Sequence, residues 1–472
     1  MPSLFFRRWK SNSVASSLPR VSAAAVAHTK PSQLQITRLD NGIRVASEDA
    51  PGHFVGVGVY VDAGSRYEPT HLRGLSHFTD RMAYKSSQSR SREAMTAAIE
   101  RLGGNVMCAS SRENILYQAN IFRHHIDDIL SLYADTIRYP LLTADEIAET
   151  KSIIEYELGE NYAKPEFIVP EILHQTAFQS NTLGLPQICQ PGSVGNVLRE
   201  HVDEYRSVFY RPENLVIAGV GMEHPYLVEL AQKYFGDMAS PSASMAAKAP
   251  IRETARYTGG LRVQAHKDLE FTQMALGFPG VSFDDEDIYA VSTLQVMLGG
   301  GNSFSAGGPG KGMYSRLFTN VLNRFHWVET VVASHTCYRD AGLFSIQMAA
   351  PQQALNAVLD IVGYEIRRVL EKPINDVELE RAKNQLRSSL FMNLESKLVQ
   401  LEDIGRQVQM RGKRICPREM SVKIDAVTAS DLKKVMRKMV AQEPTLVVLG
   451  DVEQVPDVSS FQRKFGLGKY LR

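Results

Sequence analysis

The chain has 472 residues, of which 44% are hydrophobic and 22% charged, a composition typical of a soluble globular protein too long for a single core. Its 53 Lys and Arg residues nearly balance 52 Asp and Glu residues, so no global charge favours a nucleic-acid-binding protein. No run of about 18 apolar residues occurs, so a membrane-spanning helix is not expected.

The amino-terminal segment departs from this balance. The stretch before Asp40 contains no Asp or Glu, carries six basic side chains and is rich in Ser and Ala. A segment rich in Arg and Ser and poor in acids is typical of a mitochondrial targeting peptide, and we assign residues 1–30 to one. A disordered basic tail is the alternative.

Two similar series of elements follow in chain order. Two strands flank Asn41-Gly42, a dipeptide that favours a hairpin turn. The segment HFVGVGVYVDAG alternates Val with Gly and Tyr, which predicts a half-buried strand, and apolar residues at helical spacing follow around His77. The second series has two strand-like runs and then SFDDEDIYAVSTLQVMLGGG, which predicts a helix capped by Ser282 three positions before Asp285.

A single fixed shift along the chain relates the two series. At this shift Glu146 matches Glu378 and Lys151 matches Lys383, together with several apolar positions and without a gap. These matches favour an internal duplication over chance. We therefore predict an α+β protein of two homologous domains, each a mixed or antiparallel sheet packed with helices. Their predicted bounds are 31–236 and 259–472, joined by a flexible Ser-, Ala- and Pro-rich linker at 237–258.

The stretch GLSHFTDRMA contains an incomplete metal-binding motif. Zinc peptidases of the inverted-motif class carry His-x-x-Glu-His on a helix. Here His77 is present, but the Glu position holds Asp80 and the second His position holds Arg81. Further along the chain, Glu157 stands at the distance from Arg81 where this class has its third ligand. Arg cannot replace a neutral imidazole, so we interpret these four residues as a degenerate, nonfunctional motif, in which His77, Asp80 and Arg81 form a local ion-pair network.

A glycine-rich stretch, LGGGNSFSAGGPGKGMYSRLF, carries seven glycines. It fails the spacing of a Walker phosphate loop, and it follows a predicted helix rather than a strand, unlike a dinucleotide-binding loop. The remaining interpretations are a segment whose free backbone groups lie along an extended peptide, or a surface loop without a role.

These segments together resemble one known family. The two-domain layout, SHFTDRMAYKSS, GGNVMCASSRENILYQA, the glycine-rich stretch and RAKNQLRSSLFMNLESKLVQLEDIGRQV resemble the alpha subunits of mitochondrial processing peptidase, which are pitrilysin-like, inverted-motif members with a degenerate zinc site. The resemblance covers the chain from about residue 34. It implies a noncatalytic subunit of the mitochondrial matrix with no metal and no catalytic residue of its own.

The resemblance also implies a partner and a substrate. The partner is a beta subunit that carries zinc and performs the hydrolysis, and the substrates are basic, amphipathic presequences of imported precursors. The implied substrate-binding residues are those of the glycine-rich loop: Gly299, Gly300, Gly301, Gly307, Gly308, Gly310, Lys311 and Gly312. Asp376, Glu378 and Glu380 are a candidate acidic contact for a basic presequence, with a solvated helix start as the alternative.

Two other functions stay open at this point. Related proteins serve as structural core subunits of the respiratory cytochrome bc complex, and association with cytochromes would favour that role. A self-sufficient zinc peptidase is the third possibility, and the broken motif argues against it.

Overall fold

The structure of the chain is a computed structural model. It describes residues 33–179, 181–239, 252–266, 269–302 and 313–450, together with residues 461 and 463. The predicted targeting peptide and residues 240–251 of the predicted linker lie outside these ranges. Among the described residues, no helix is both long enough and apolar enough to cross a membrane.

The first half contains one six-stranded sheet and seven α-helices in its described part. In chain order these are β1 (Gln35–Arg38), β2 (Arg44–Glu48), β3 (Phe54–Val61), α1 (Leu75–Arg81), α2 (Arg92–Arg101), β4 (Asn105–Ser110), β5 (Ile115–Phe122), α3 (Ile126–Arg138), α4 (Ala144–Tyr162), α5 (Pro165–Ala177), α6 (Arg199–Phe209), β6 (Leu215–Val220) and α7 (His224–Phe235).

The second half contains a second six-stranded sheet, six α-helices and a π-helical turn in its described part. In chain order these are β7 (Gly260–Ala265), β8 (Thr272–Gly280), α8 (Ile288–Leu298), β9 (Gly300–Asn302), a π-helical turn (Phe318–Leu322), β10 (Thr330–Cys337), β11 (Gly342–Ala350), α9 (Leu355–Glu371), α10 (Asp376–Asn393), α11 (Lys397–Arg411), α12 (Pro417–Asp425), α13 (Ala429–Val440) and β12 (Thr445–Gly450).

The two sheets share the arrangement of five of their six strands. The first has the order β1-β2-β6-β3-β5-β4 and the second β7-β12-β8-β11-β10-β9. In each, one parallel pair, β2 with β6 or β7 with β12, adjoins a run of antiparallel strands. The five-strand order β2-β6-β3-β5-β4 therefore recurs as β7-β12-β8-β11-β10, and the predicted α+β architecture of two similar halves is confirmed.

The two halves exchange a helix. Leu401, Ile404 and Val408 of α11 pack on Tyr60 and other core residues of the first sheet. In return, α5 packs on the second sheet, where Ile172 and Leu173 join the core of β8 and β12. The first residues of α5 and α11 are separated by the same shift that relates Lys151 to Lys383, so the duplicated helices have exchanged sheets.

This exchange explains one wrong prediction. The Val alternation predicted a half-buried β3, but every residue from Val55 to Val61 is buried because α11 covers the face that carries Gly56, Gly58 and Tyr60. Backbone Lys397 O lies 3.1 Å from where a side chain on Gly56 would begin, so the small residues admit the helix. The residues that alternate with Val therefore form a surface on which another helix packs rather than a face exposed to solvent.

The predicted turn was correct and the predicted cap was wrong. The β1–β2 hairpin turns at Asn41-Gly42, where Gly42 has φ 99°. The helix expected to be capped by Ser282 begins only at Ile288, with Asp287 at its N-cap. Ser282 instead starts a turn in which its carbonyl accepts the Asp285 N–H at 3.3 Å, and the helix follows this turn.

Candidate functional site

Helix α1 carries the degenerate motif and is fixed at its start by a buried carboxylate. Glu68 accepts the backbone N–H groups of Gly74 and Ser76, each at 2.6 Å. Gly74 has φ 87°, and a side chain there would meet Cys189 at 3.1 Å. Burial raises the pKa of Glu68 to about 7 against the opposing effect of these hydrogen bonds. These contacts hold the start of the motif helix in place.

His77 is neutral and faces Glu157. Its Nδ1 accepts the Cys189 backbone N–H at 3.3 Å, so its proton is on Nε2, which lies 3.7 Å from Glu157 Oε2. Burial and, secondarily, the charge of Arg81 lower the pKa of His77 to about 4. The nitrogen that faces the centre of the site consequently carries a proton instead of a free lone pair.

Arg81 fills the space between the two acids of the motif. Its Nε donates to both oxygens of Glu157, at 3.0 and 2.9 Å, and its Nη1 donates to Asp80 Oδ1 at 2.8 Å. Burial opposes its charge, but Asp80 and Glu157 raise the pKa of Arg81 above its usual value. The guanidinium is the permanent cation of this site.

Asp80 is held away from the role of a catalytic base. Its Oδ2 accepts both the N–H and the hydroxyl of Ser110, at 2.7 and 2.5 Å, while Oδ1 binds Arg81. Burial raises the pKa of Asp80 to about 6, although Arg81 and Ser110 act in the opposite direction. Since both oxygens have partners within the protein, Asp80 fixes the end of β4.

These residues do not fit a zinc ion. A catalytic zinc site needs three protein ligands and an open position. Here one imidazole presents a proton, the carboxylate in the third ligand position is bound through both oxygens by Arg81, and the remaining ligand position, that of the second His, is the arginine itself. No group of three or more His, Cys, Asp or Glu side chains is arranged to hold a metal ion anywhere in the part of the chain that the structure describes.

The structure thus brings together the four residues of the predicted motif in one network. Sequence reasoning missed Ser110, Glu68 and the backbone of Cys189, which complete it. No spacing rule connects these residues with the motif, because their contacts arise from the fold. Ser110 alone lay within a segment that carried the family resemblance.

The glycine-rich loop is anchored where it leaves α8. Helix α8 ends at Leu298 as predicted, and the next residues form β9, an edge strand paired with β10. Gly300 has φ 104°, and a side chain there would begin 2.0 Å from Val331 O. The Gly299 carbonyl accepts the Ala333 N–H at 2.8 Å. The expectation of free backbone groups is therefore wrong where Gly299 to Gly301 pair with β10.

The rest of the predicted loop site lies outside the described residues, namely Gly307, Gly308, Gly310, Lys311 and Gly312. The stem on its far side is again described and begins at Met313. Ser315 Oγ accepts the Gly300 N–H at 3.0 Å, so the two stems meet.

The far stem is bound to α10 by an ion pair. Arg316 donates from Nε and Nη2 to the two oxygens of Glu378, at 2.6 and 2.8 Å, and Arg316 is buried. The expectation that Glu378 is a solvated acid at a helix start is thereby corrected, because it binds the far stem of the loop, and its contact with a presequence stays a prediction. Beside this anchor, Tyr314 and Val377 are 59% and 65% exposed, which leaves an apolar surface at the base of the loop.

Both halves of the chain resemble known proteins. Residues 44–191 match the family described as insulinase (peptidase family M16), and residues 196–386 match the peptidase M16 inactive domain. The two matches together cover most of the chain.

The chain belongs to peptidase family M16.

Two relatives that match along most of the chain carry the same name. A protein of Neurospora crassa named mitochondrial-processing peptidase subunit alpha is 41% identical, with 89% of this chain and 85% of the relative covered. The human protein of the same name is 36% identical over 94% of this chain and 87% of its own. The resemblance to these alpha subunits that the sequence indicated is confirmed.

The M16 fold is also found in a solved structure. A protease from Helicobacter pylori superposes with a TM-score of 0.79 over 89% of this chain and 99% of its own length. At 18% identity this likeness shows the fold alone.

Proposed function

We propose that the chain is a noncatalytic, presequence-binding subunit of a mitochondrial processing peptidase. The observation that carries the noncatalytic part is the guanidinium of Arg81, which binds both oxygens of Glu157 where a metalloprotease would place its metal ion. Hydrolysis then falls to a zinc-bearing beta subunit, with which this chain forms a heterodimer. The names of its M16 relatives support this complex and a mitochondrial location, which we place in the matrix.

The glycine-rich loop and its stems are the proposed presequence site. The side chains of Tyr314 and Val377 offer an apolar surface beside the loop. Asp376 and Glu380 add exposed carboxylates on the first turns of α10, although Glu380 is paired with Lys383. A basic amphipathic peptide presents apolar side chains on one face and cations on the other, so it matches both parts of this surface. The Arg316–Glu378 ion pair holds the surface in place.

Deleting Gly307 to Gly312 tests this site directly. We expect the deletion variant to assemble with the beta subunit, which should keep its zinc, but to bind a fluorescent presequence peptide about 2 kcal/mol more weakly, roughly thirtyfold. Lys311→Ala should do less, because a lone cation does not attract a basic peptide. Unchanged affinity and cleavage rate in a normally assembled deletion variant would leave the loop without this role.

A matched pair of tyrosines tests the stem. Tyr314 and Tyr364 are similarly exposed, 59% and 55%, and each carries an arginine over its ring, Arg381 or Arg368. Only Tyr314 lies at the loop. Tyr314→Ser should weaken presequence binding several-fold and Tyr364→Ser should not, and equal effects would reject the stem as a specific surface. Co-purification with cytochromes would instead favour the role of a cytochrome bc core subunit, which stays a prediction.

A further inference from the structure

The degenerate motif lies where it can stabilise the contact between the two halves of the chain. Asp80 and Glu157 are acids on two different helices, α1 and α4, and the cation between them is Arg81. We propose that Arg81 has taken over the structural role of the lost metal ion and that, through Asp80, it fixes the turn on which the two halves of the chain meet.

The first step is the cation itself. Two carboxylates brought together in a partly buried site need a compensating positive charge, since unpaired charges are costly away from water. Arg81 supplies it through three hydrogen bonds, two to Glu157 and one to Asp80. It therefore ties α1 to α4 as a bound metal ion would, with a charge that no chelator removes.

The second step leads from Asp80 into the β4–β5 turn. Asp80 accepts two hydrogen bonds from Ser110, the last residue of β4. The Ser110 carbonyl accepts from Gln187 Nε2 at 3.3 Å, and Gln187 Oε1 accepts from Arg112 at 3.0 Å. Arg112 is buried and is also paired with Glu171 of α5. The start of the turn is thus held from both sides.

The third step crosses to the second half. Glu113, in the same turn, accepts from Arg66 at 2.7 Å and from the backbone N–H of Arg339 at 3.1 Å. Arg66 donates in turn to both oxygens of Asp340, each at 2.8 Å. Asp340 also accepts the N–H of Ala255 at 2.8 Å, and Ala255 belongs to the linker that precedes the second half. The turn thereby binds the β10–β11 connection and the described end of the predicted linker.

A continuous series of contacts runs from Arg81 through Asp80, Ser110 and Glu113 to Arg339. Each link is a hydrogen bond or, between Ser110 and Glu113, the chain of the turn itself, and most of these side chains are buried. Loss of the cation should release Asp80, loosen the turn and weaken the contacts of Glu113 with the second half. The site is then a positioning device for the junction of the two halves.

Hydrogen exchange of the full chain measures this effect. Arg339 lies in the second half, and Ala255 lies in the linker just before it. In Arg81→Ala, the backbone amides of both residues should exchange roughly tenfold faster than in the wild type. A purely local role of Arg81 would change exchange in α1 and α4 and leave these two amides unchanged. Ser110→Ala, which removes one hydrogen bond to Asp80, should shift the same amides less.

Arg92 provides the matched control. It forms a two-bond ion pair with Glu149 in the same half, at 2.7 Å for each bond, but it is exposed and lies outside the series. Arg92→Ala should leave the Arg339 and Ala255 amides as they are. Because the Arg81 side chain is 34% exposed, an added ion can reach its place, so millimolar methylguanidinium should restore slow exchange in Arg81→Ala and sodium chloride should not.

Each outcome decides the proposal. The proposal is supported if the Arg339 amide exchanges faster in Arg81→Ala and methylguanidinium reverses this change. If Arg81→Ala does not fold, faster exchange of the same amide in Ser110→Ala supports it. Unchanged exchange at Arg339 and Ala255 in Ser110→Ala and in a folded Arg81→Ala overturns it, as does an equal effect of Arg92→Ala.

Discussion

Gly405 lies in the middle of α11, where that helix crosses the sheet of the other half. A side chain at this position would begin 2.1 Å from the ring of Tyr60, which is fully buried and donates a hydrogen bond to Leu401 O at 2.9 Å. The ring therefore cannot move aside cheaply. Gly405→Ala is expected to destabilise the protein although alanine is the better helix former.

The magnitude follows from two opposing effects. In an exposed helix interior, Gly→Ala stabilises by about 1 kcal/mol because glycine loses more backbone entropy on folding. Overpacking a close-packed interior costs roughly 1–3 kcal/mol, and a contact as short as 2.1 Å belongs at the upper end. The expected net change is a loss of about 2 kcal/mol in the free energy of unfolding, since both estimates apply together.

Urea unfolding of Gly405→Ala and Gly159→Ala measures the difference. Gly159 is also helical, in α4, but it is exposed and a side chain there would meet nothing within 4 Å. Its replacement should stabilise by about 0.5–1 kcal/mol. Equal effects of the two substitutions would refute the inference that α11 packs this tightly on the first sheet.

Three further outcomes are expected. Burial lowers the pKa of His174 to about 3 in the folded protein, so the unfolded chain binds a proton at a higher pH than the folded chain does. The free energy of unfolding therefore falls as the pH is lowered from about 6.5 towards 3, by about 1.4 kcal/mol per pH unit. His174→Gln should make the loss shallower in urea unfolding at pH 6.5, 5.5 and 4.5 (roughly unit steps), and an unchanged slope would contradict this. Asp80→Glu with Arg81→His recreates the nominal ligands, yet calorimetric zinc titration should show partial binding at most and peptide assays little activity, because supporting contacts are not restored; robust activity would contradict this. Gly300→Ala should lower the melting temperature, since its side chain would begin 2.0 Å from Val331 O; an unchanged melting temperature would show that β9 yields easily.

The sequence predicted the features that depend on residue type and spacing, namely the hairpin turn, the two similar halves and the ion-pair network. Asn41-Gly42 predicted a hairpin because the turn needs a residue with positive φ, and Gly42 supplies it. The constant shift between matched positions predicted two similar halves, because matched apolar positions preserve the same helix faces. The substitutions at Asp80 and Arg81 predicted an ion-pair network through chemistry that holds in any fold.

Contacts between distant residues could not be predicted in this way. The face of β3 that carries Tyr60 is buried by Leu401, which lies in the other half of the chain. Glu378 looked like a solvated acid at a helix start, and only the fold brings the buried Arg316 to it. Ser110 reaches Asp80 because β4 ends beside α1, and a single sequence contains no sign of that pairing.

The zinc content and the presequence cleavage rate of the purified chain, alone and with a co-expressed beta subunit, test the proposed role most directly. The chain alone should hold no stoichiometric zinc and cleave nothing, because Arg81 stands in a ligand position and both Glu157 oxygens are bound to it. The heterodimer should cleave, with its zinc in the beta subunit. About one zinc ion per chain, together with presequence cleavage by the isolated chain, would contradict the assignment of a noncatalytic subunit.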